Sequence, residues 1–304
     1  FSVATPLMAE IMKKVLPGVS TRELTLLILV LTCAVYTFSL LKGMMGISFL
    51  AKACTWLFYS LLLYIFFAGG AGNFILKHAF LALGKMVEHF PTMATYTDPM
   101  GENHFPENWT IFYWAYWMVW CVAAPFFIGS ISKGRTIRQT ILGGYGFGVG
   151  STFVSFLVLG NYSLSLEVFH KLPVVQIYES SQSLYETIVK CLEVLPLAPL
   201  VLLLLLLTMF AFYATSFDSI ALVASQYSYK SLAEGEEPGK KVQGFWAILL
   251  ILLPLALVFS ESSMVNLQSV SIIAAFPIGF VILLISFSFL KDAKKYMEEQ
   301  KGTE

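Results

Sequence analysis

The sequence predicts an all-α protein embedded in a membrane, and two observations carry that expectation. Hydrophobic residues make up 57% of the 304-residue chain and charged residues only 12%, whereas soluble domains hold about 25% charged residues to keep their surface in water. The apolar residues are also gathered into seven runs, each close to the roughly 20 residues a helix needs to cross a hydrocarbon core about 30 Å thick. No run alternates apolar and polar residues as a barrel strand does. In lipid each backbone N–H and C=O must be satisfied within the spanning structure, so helices are the expected solution. The 19 basic and 19 acidic residues balance, and nothing in that balance suggests nucleic acid or a strongly anionic partner.

In chain order the runs cover about 23 to 41, 56 to 75, 109 to 130, 138 to 160, 195 to 220, 243 to 260 and 268 to 290, here spans A to G. The opening FSVATPLMAE has no initiator Met and no basic, cleavable leader, so residue 1 is expected to be an internal position of a longer protein. Between spans B and C, Leu76, Phe80, Leu83, Val87 and Phe90 recur at helical spacing, as do Ile177, Leu184, Ile188 and Cys191 between spans D and E. Both patterns predict amphipathic helices lying at the outer surface, either as plain packing or as a cover over an entry path. Span D carries Gly143, Gly144, Gly146, Gly148 and Gly150; small residues let helices approach closely in lipid, and close helix contact is the first reading of this stripe. Cys33, Cys54, Cys121 and Cys191 have no paired spacing and read as small apolar fillers.

Orientation follows from the basic residues. With a cytoplasmic C-terminus, inner connections hold Lys42, Lys52, Lys133, Arg135, Arg138, Lys230, Lys240, Lys241, Lys291, Lys294, Lys295 and Lys301, twelve of the nineteen. That agrees with the positive-inside tendency, against which Lys13, Lys14 and Arg22 stand.

Span C contains the most informative stretch, WTIFYWAYWMVW at 109 to 120, with seven aromatic rings in twelve positions. At about 100° per residue, Trp109, Tyr113, Tyr116, Trp117 and Trp120 fall within one third of a helix circumference. Trp and Tyr at the end of a span are ordinary interfacial anchors, which explains Trp109 and suffices for Tyr113. Tyr116, Trp117 and Trp120 lie about 10 to 17 Å deeper, where an interfacial belt does not reach. Beside the small Cys121, Ala123 and Ala124 they read as the wall of a cavity. Ring faces offer negative potential without a formal charge, and the ligand that gains most is a quaternary ammonium, which cannot be held by donated hydrogen bonds. Each ring facing a desolvated cation contributes about 2 kcal/mol. The candidate substrate-binding residues are therefore Tyr116, Trp117 and Trp120, with Tyr113 at the rim.

Span E reads LTMFAFYATSFDS and places Thr215 and Ser216 inside an apolar helix next to Asp218. Hydroxyl and carbonyl oxygens suit a hard cation, while intramembrane Ser and Thr also bond back to the carbonyl one turn earlier. Both readings stay open on the residues alone. Asp218 is an intramembrane acid, and so either a functional group or a partner for a helix end or an inner-loop Lys.

WTIFYWAYW at Trp109 to Trp117 and SISKGRTIR at Ser130 to Arg138 together resemble the paired signature of the betaine/carnitine/choline transporter family, WT-x-FYWAWW followed by S-[RK]-GRT-[IV]-R. TYTDP at Thr95 to Pro99, FPENWT at Phe105 to Thr110 and the opening FSVATPL look most like the carnitine/γ-butyrobetaine antiporter branch. The resemblance covers essentially the whole chain and only the C-terminal part of a twelve-span protein. It implies a pair of five-helix inverted repeats, with residues 1–107 ending the first repeat, 108–290 forming the whole second repeat, and 291–304 a cytoplasmic tail. It implies carriage of a small trimethylammonium compound by alternating access across the plasma membrane, a homotrimer, and a substrate cage at Tyr116, Trp117 and Trp120. Tyr116 stands where Trp is usual, which keeps a ring and weakens its pull on a cation.

The same resemblance bears on span E. Sodium-coupled members carry F-x-x-TS, matched by Phe212, Thr215 and Ser216, which makes these three a candidate sodium site with the ion as coupling partner; no other cofactor is expected. Uncoupled carnitine exchangers lose the hydroxyls and place an arginine at the ion's position, and residues 46 to 66 hold no arginine. Ala123 replaces an aromatic that supports a second ion in some members, so one ion at most is implied. Branch likeness and ion-site likeness thus point in different directions. A membrane enzyme is the first rival reading, but His78, His89, His104 and His170 all fall in outer connections and no nucleophile or metal-ligand pattern appears. A channel or an osmotic sensor without active transport is the second, with the tail KDAKKYMEEQK as a segment that anionic lipid could attract.

Overall fold

A computed structural model of the chain describes residues 5–101, 104–232, 236–259 and 264–301. Residues 1–4 of the FSVATPL stretch, residue 260 of span F and residues 302–304 of the tail lie outside them. The described residues form helices and no strand: α1 Thr5–Val15, α2 Thr21–Leu41, α3 Met44–Ala68, α4 Gly72–Glu88, α5 Phe90–Ala94, a π-helical turn Pro106–Ile111, α6 Phe112–Trp120, α7 Ala124–Ile131, α8 Ile137–Val168, α9 Val174–Ser181, α10 Leu184–Glu193, α11 Ala198–Tyr227, α12 Lys240–Phe259 and α13 Met264–Lys301. Among the described residues, five stretches are long and apolar enough to cross a membrane: Thr21–Leu41, Met44–Ala68, Ile137–Val168, Ala198–Tyr227 and Ser269–Glu299. The all-α membrane architecture expected from composition is the one observed.

Several boundaries follow from local chemistry. α2 begins at a reciprocal cap in which Ser20 Oγ accepts from the Glu23 N–H at 3.3 Å and the Glu23 carboxylate accepts from the Ser20 N–H at 3.0 Å. Thr136 and Gln139 repeat the device at the start of α8, at 3.2 and 3.0 Å. Each cap satisfies two of the donors that a helix N-terminus leaves open. Span B is displaced from its expected place: its helix runs Met44–Ala68 rather than 56 to 75, and Gly69, Gly70 and Ala71 separate it from α4. Gly70, at φ +65°, takes a left-handed conformation that ends the run although the apolar residues continue past it. Span C is not one helix either. It breaks at Cys121–Ala123 between α6 and α7, because Pro125 has no N–H to offer the Cys121 carbonyl and its ring would crowd that oxygen.

The chain divides into two compact units, Phe1–Phe90 with Ile131–Glu261, and Pro91–Ser130 with Ser262–Glu304. In the first unit α11 is the axis, packed against α2, α3 and α12. Its core gathers Met8, Leu24, Ile28, Ile65, Ile75 and Leu166, each at most 2% exposed. Buried tyrosines tie the helices where a hydroxyl would otherwise be stranded: Tyr36 donates to the Ala247 carbonyl and Tyr162 to Cys191, while the half-buried Tyr64 donates to Pro196. Lys14 joins α1 to α10 through Glu193 at 2.8 Å. The amphipathic patterns at 76–90 and 177–191 become α4 and the pair α9 and α10, broken at Gln182, φ +50°. At Gly143, Gly144, Gly146, Gly148 and Gly150 an added Cβ would meet nothing within 4 Å, so this stripe does not serve the close helix contact expected of it within the described chain. In the second unit α6 packs along α13.

Candidate functional site

The aromatic segment puts one face against α13 and leaves the other open. Ala115, 6% exposed, is the buried residue of α6. Thr110, Trp114 and Met118 meet Ala275, Phe276 and Phe280 across an apolar cavity of about 690 Å³. Away from α13, Tyr116 lies 5.7 Å from Trp117 at 83° and 6.5 Å from Trp120 at 64°. These are edge-to-face contacts, the geometry ring quadrupoles favour. Tyr116 is 40% and Trp117 59% exposed, with Trp120 half-buried. The three deep rings of the sequence reading are therefore neighbours on one α-helix. Tyr113 does not touch these three directly: it has Trp109 at 6.1 Å and Phe112 at 5.7 Å, and Phe112 in turn lies 5.8 Å from Tyr116. Trp109 lies in the π-helical turn, whose wider winding removes it from the 100° count that had aligned it with the others. A smaller apolar pocket of about 390 Å³ opens at Phe105, Trp109, Tyr113 and Trp114.

The span E residues meet in α11. Thr215 Oγ1 donates to the Phe212 carbonyl at 2.9 Å and Ser216 Oγ to the same oxygen at 3.0 Å. The backbone bonding anticipated for intramembrane hydroxyls is thus present, and it draws three hard oxygens into one turn. The Phe58 ring of α3 meets Phe212 edge-on at 5.4 Å, and the Cys54 thiol lies beside Thr215. Cys54 is buried; Cys121, expected as an apolar filler, is exposed and directs its thiol to the Trp117 carbonyl at 3.7 Å.

Asp218, one turn beyond Thr215, is fully buried. Among the described residues no lysine pairs with it; its partner across the helices lies in the last turn of α2. Ser39 of α2 donates to Oδ2 at 2.8 Å and Ser219 to Oδ1 at 3.2 Å. Sequence spacing could not disclose the Ser39 contact, which joins residues 179 positions apart.

The second unit also assembles a group that sequence reading passed over. Ligand atoms of Asp98, His104 and Glu107 lie within 4.8 Å of one another. Asp98 is 7% exposed, and its carboxylate accepts from the Tyr96 hydroxyl at 3.1 Å and the His104 N–H at 2.7 Å, so its visible work is to close a turn. Asp98 at φ +49° and His104 at φ +52° adopt a left-handed backbone that no spacing rule would have signalled.

Comparison with known proteins supplies the family. The family model described as "BCCT, betaine/carnitine/choline family transporter" matches residues 1–298. A protein of Acinetobacter baumannii (strain ATCC 19606) named "Carnitine transporter" is 30% identical over 223 residues, which is 73% of this chain and 40% of that protein. The matched region thus spans less than half the length of this relative. With WTIFYWAYW across the π-helical turn and α6 and SISKGRTIR leading into α8, the chain belongs to the betaine/carnitine/choline transporter family and is a multi-pass membrane protein of the cell membrane.

Proposed function

We propose that this chain forms part of a secondary transporter that carries a small trimethylammonium compound of the carnitine, betaine and choline class by alternating access. The observation that bears most weight is the group of Tyr116, Trp117 and Trp120 on one helix, in edge-to-face contact and with Tyr116 and Trp117 still 40% and 59% exposed. A methylated ammonium has no N–H to donate, so its binding rests on ring faces and on exclusion of water. α6 contains no acidic residue, and the site thereby avoids a buried charge in the emptied carrier. The name of the Acinetobacter baumannii relative, "Carnitine transporter", supports this substrate class.

Phe212, Thr215 and Ser216 favour coupling to one sodium ion; the oxygen cluster in α11 is the reason to prefer symport to uncoupled exchange. The ion supplies a driving gradient, and the three residues hold part of its coordination. A homotrimer and a two-repeat architecture are proposed on family membership.

Uptake of labelled carnitine, betaine and choline by full-length protein in proteoliposomes, with and without sodium, tests the proposal. Saturable uptake with counterflow and a sodium requirement is expected. Counterflow that ignores sodium overturns the coupling and leaves the carrier; linear, unsaturable flux favours a channel; and absence of flux with retained binding favours a sensor.

A further inference from the structure

The oxygen cluster of α11 does not stand alone. Ser219 Oγ reaches the Thr215 carbonyl at 2.8 Å and Asp218 Oδ1 at 3.2 Å, while Ser39 Oγ of α2 donates to Asp218 Oδ2 at 2.8 Å. A relay of hydrogen bonds therefore runs from α2 through Asp218 and Ser219 to the backbone of Thr215. We propose that Asp218 is a positioning residue for ion binding: through Ser39 and Ser219 it sets the rotation of α11 at which Phe212, Thr215 and Ser216 present their oxygens together. The inference rests on the sodium reading of those three residues.

Three observations carry it. Asp218 is fully buried and Ser39 is 6% exposed, and buried groups of this kind are kept only where their partners satisfy them. Both carboxylate oxygens are engaged by hydroxyl donors, so the group acts through its neighbours rather than as a ligand. Ser219 has one proton and two acceptors in reach, and a charged acceptor is the stronger of the two; the carboxylate thus governs how firmly that hydroxyl binds the Thr215 carbonyl. At about 1.5 Å per residue Thr215 is only about 4.5 Å along the axis from Asp218, too short a distance for the helix to absorb a loss of rotational register. The same helix pair is joined a second time by Tyr36 of α2, whose ring stacks on Phe217 at 5.6 Å.

The test uses purified full-length protein in nanodiscs and follows thermal unfolding as sodium replaces potassium at constant ionic strength, beside sodium titration of substrate uptake. Wild-type protein is expected to be stabilised by sodium specifically, and Thr215→Ala to lose that response. Ser39→Ala and Asp218→Asn are expected to raise the half-saturating sodium concentration about tenfold, as loss of an outer partner does at other ion sites, while substrate KM at saturating sodium stays the same. Should Thr215→Ala lose the sodium response while Ser39→Ala and Asp218→Asn only lower the unfolding midpoint, at unchanged half-saturating sodium, the relay is merely structural and the inference is overturned with the ion site intact. If wild-type protein shows no sodium-specific stabilisation, the ion reading fails and takes the relay with it. Ser39→Ala removes one hydroxyl only, and decides the matter alone if the Asp218 variant does not fold.

Discussion

The aromatic turn of α6 and the oxygen-bearing turn of α11 both sit in apolar helices, yet their side chains are treated in opposite ways. In α11 the hydroxyls of Thr215, Ser216 and Ser219 and the carboxylate of Asp218 all have hydrogen-bond partners. In α6 the rings of Tyr116 and Trp117 touch edges and stay 40% and 59% exposed. The contrast follows from what each group loses when left alone. An unpaired oxygen in an apolar setting costs about 1–3 kcal/mol, so it is satisfied within the helix before any ligand arrives. A ring face has no such penalty and can wait for a cation.

The largest test of that contrast is at the rings. Trp117→Ala and Trp120→Ala are each expected to weaken trimethylammonium binding by full-length protein about 30-fold in titration calorimetry, since each ring contributes about 2 kcal/mol. Trp117→Phe keeps a weaker face and should reduce affinity less. Wild-type affinity in both alanine variants would remove the rings from the site.

Glycines sharpen the comparison of satisfied and open positions. Gly43, at φ +68°, turns α2 into α3, and a Cβ there would meet the Glu237 carboxylate at 2.5 Å, where that group accepts from the Met44 N–H at 3.1 Å. Gly43→Ala should destabilise the protein by about 1–2 kcal/mol, chiefly through the left-handed backbone. Gly144→Ala should leave stability unchanged or raise it by up to about 1 kcal/mol, because nothing lies within 4 Å and alanine is the better helix former. Thermal unfolding separates the two; a loss at position 144 would mean that the open stripe of α8 meets a partner. Tyr36→Phe, which removes only the hydrogen bond to the Ala247 carbonyl, should cost about 1 kcal/mol in the same assay.

The smallest effect is expected at Glu193. The hydrogen bond from Lys14 holds its carboxyl below the ordinary value of 4.5; partial burial opposes this, and the charges of Lys14 and Lys190 add to the lowering. A lowered value means that the folded state binds the proton less readily than the unfolded chain. The pair therefore stabilises at neutral pH, and its contribution fades as pH falls below about 4.5. Both side chains are partly in solvent, so Glu193→Gln should cost only about 0.2–1 kcal/mol at pH 7 and nothing measurable at acid pH.

Much of this was legible in the residues. The spans and caps follow from runs of apolar side chains and from Ser20 and Thr136, which act on their own neighbours three residues away. The grouping of Tyr116, Trp117 and Trp120 follows from helical spacing alone. Spacing misled where the backbone left the α-helix, at Trp109 in the π-helical turn and at the break before Pro125, and it gave no signal for Asp98 and His104 in their left-handed turn. Pro125 was a readable signal, since a missing N–H acts on a carbonyl four residues back. The glycines of α8 misled for another reason, because a small residue permits contact without requiring it.

By itself, the sequence determined that the chain lives in a membrane, that its backbone is helical, and which turns carry rings and which carry hydroxyls, since each depends on side chains within a few residues of one another. Only the tertiary structure decided that Asp218 answers to Ser39, that Cys54 and Phe58 back the Thr215 turn, and that α13 takes Ala115 while Trp117 is left open. Those pairings join residues far apart along the chain, and in an apolar bundle many partners can bury a helix face equally well, so the choice among them rests on the few polar groups that cannot be left unpaired.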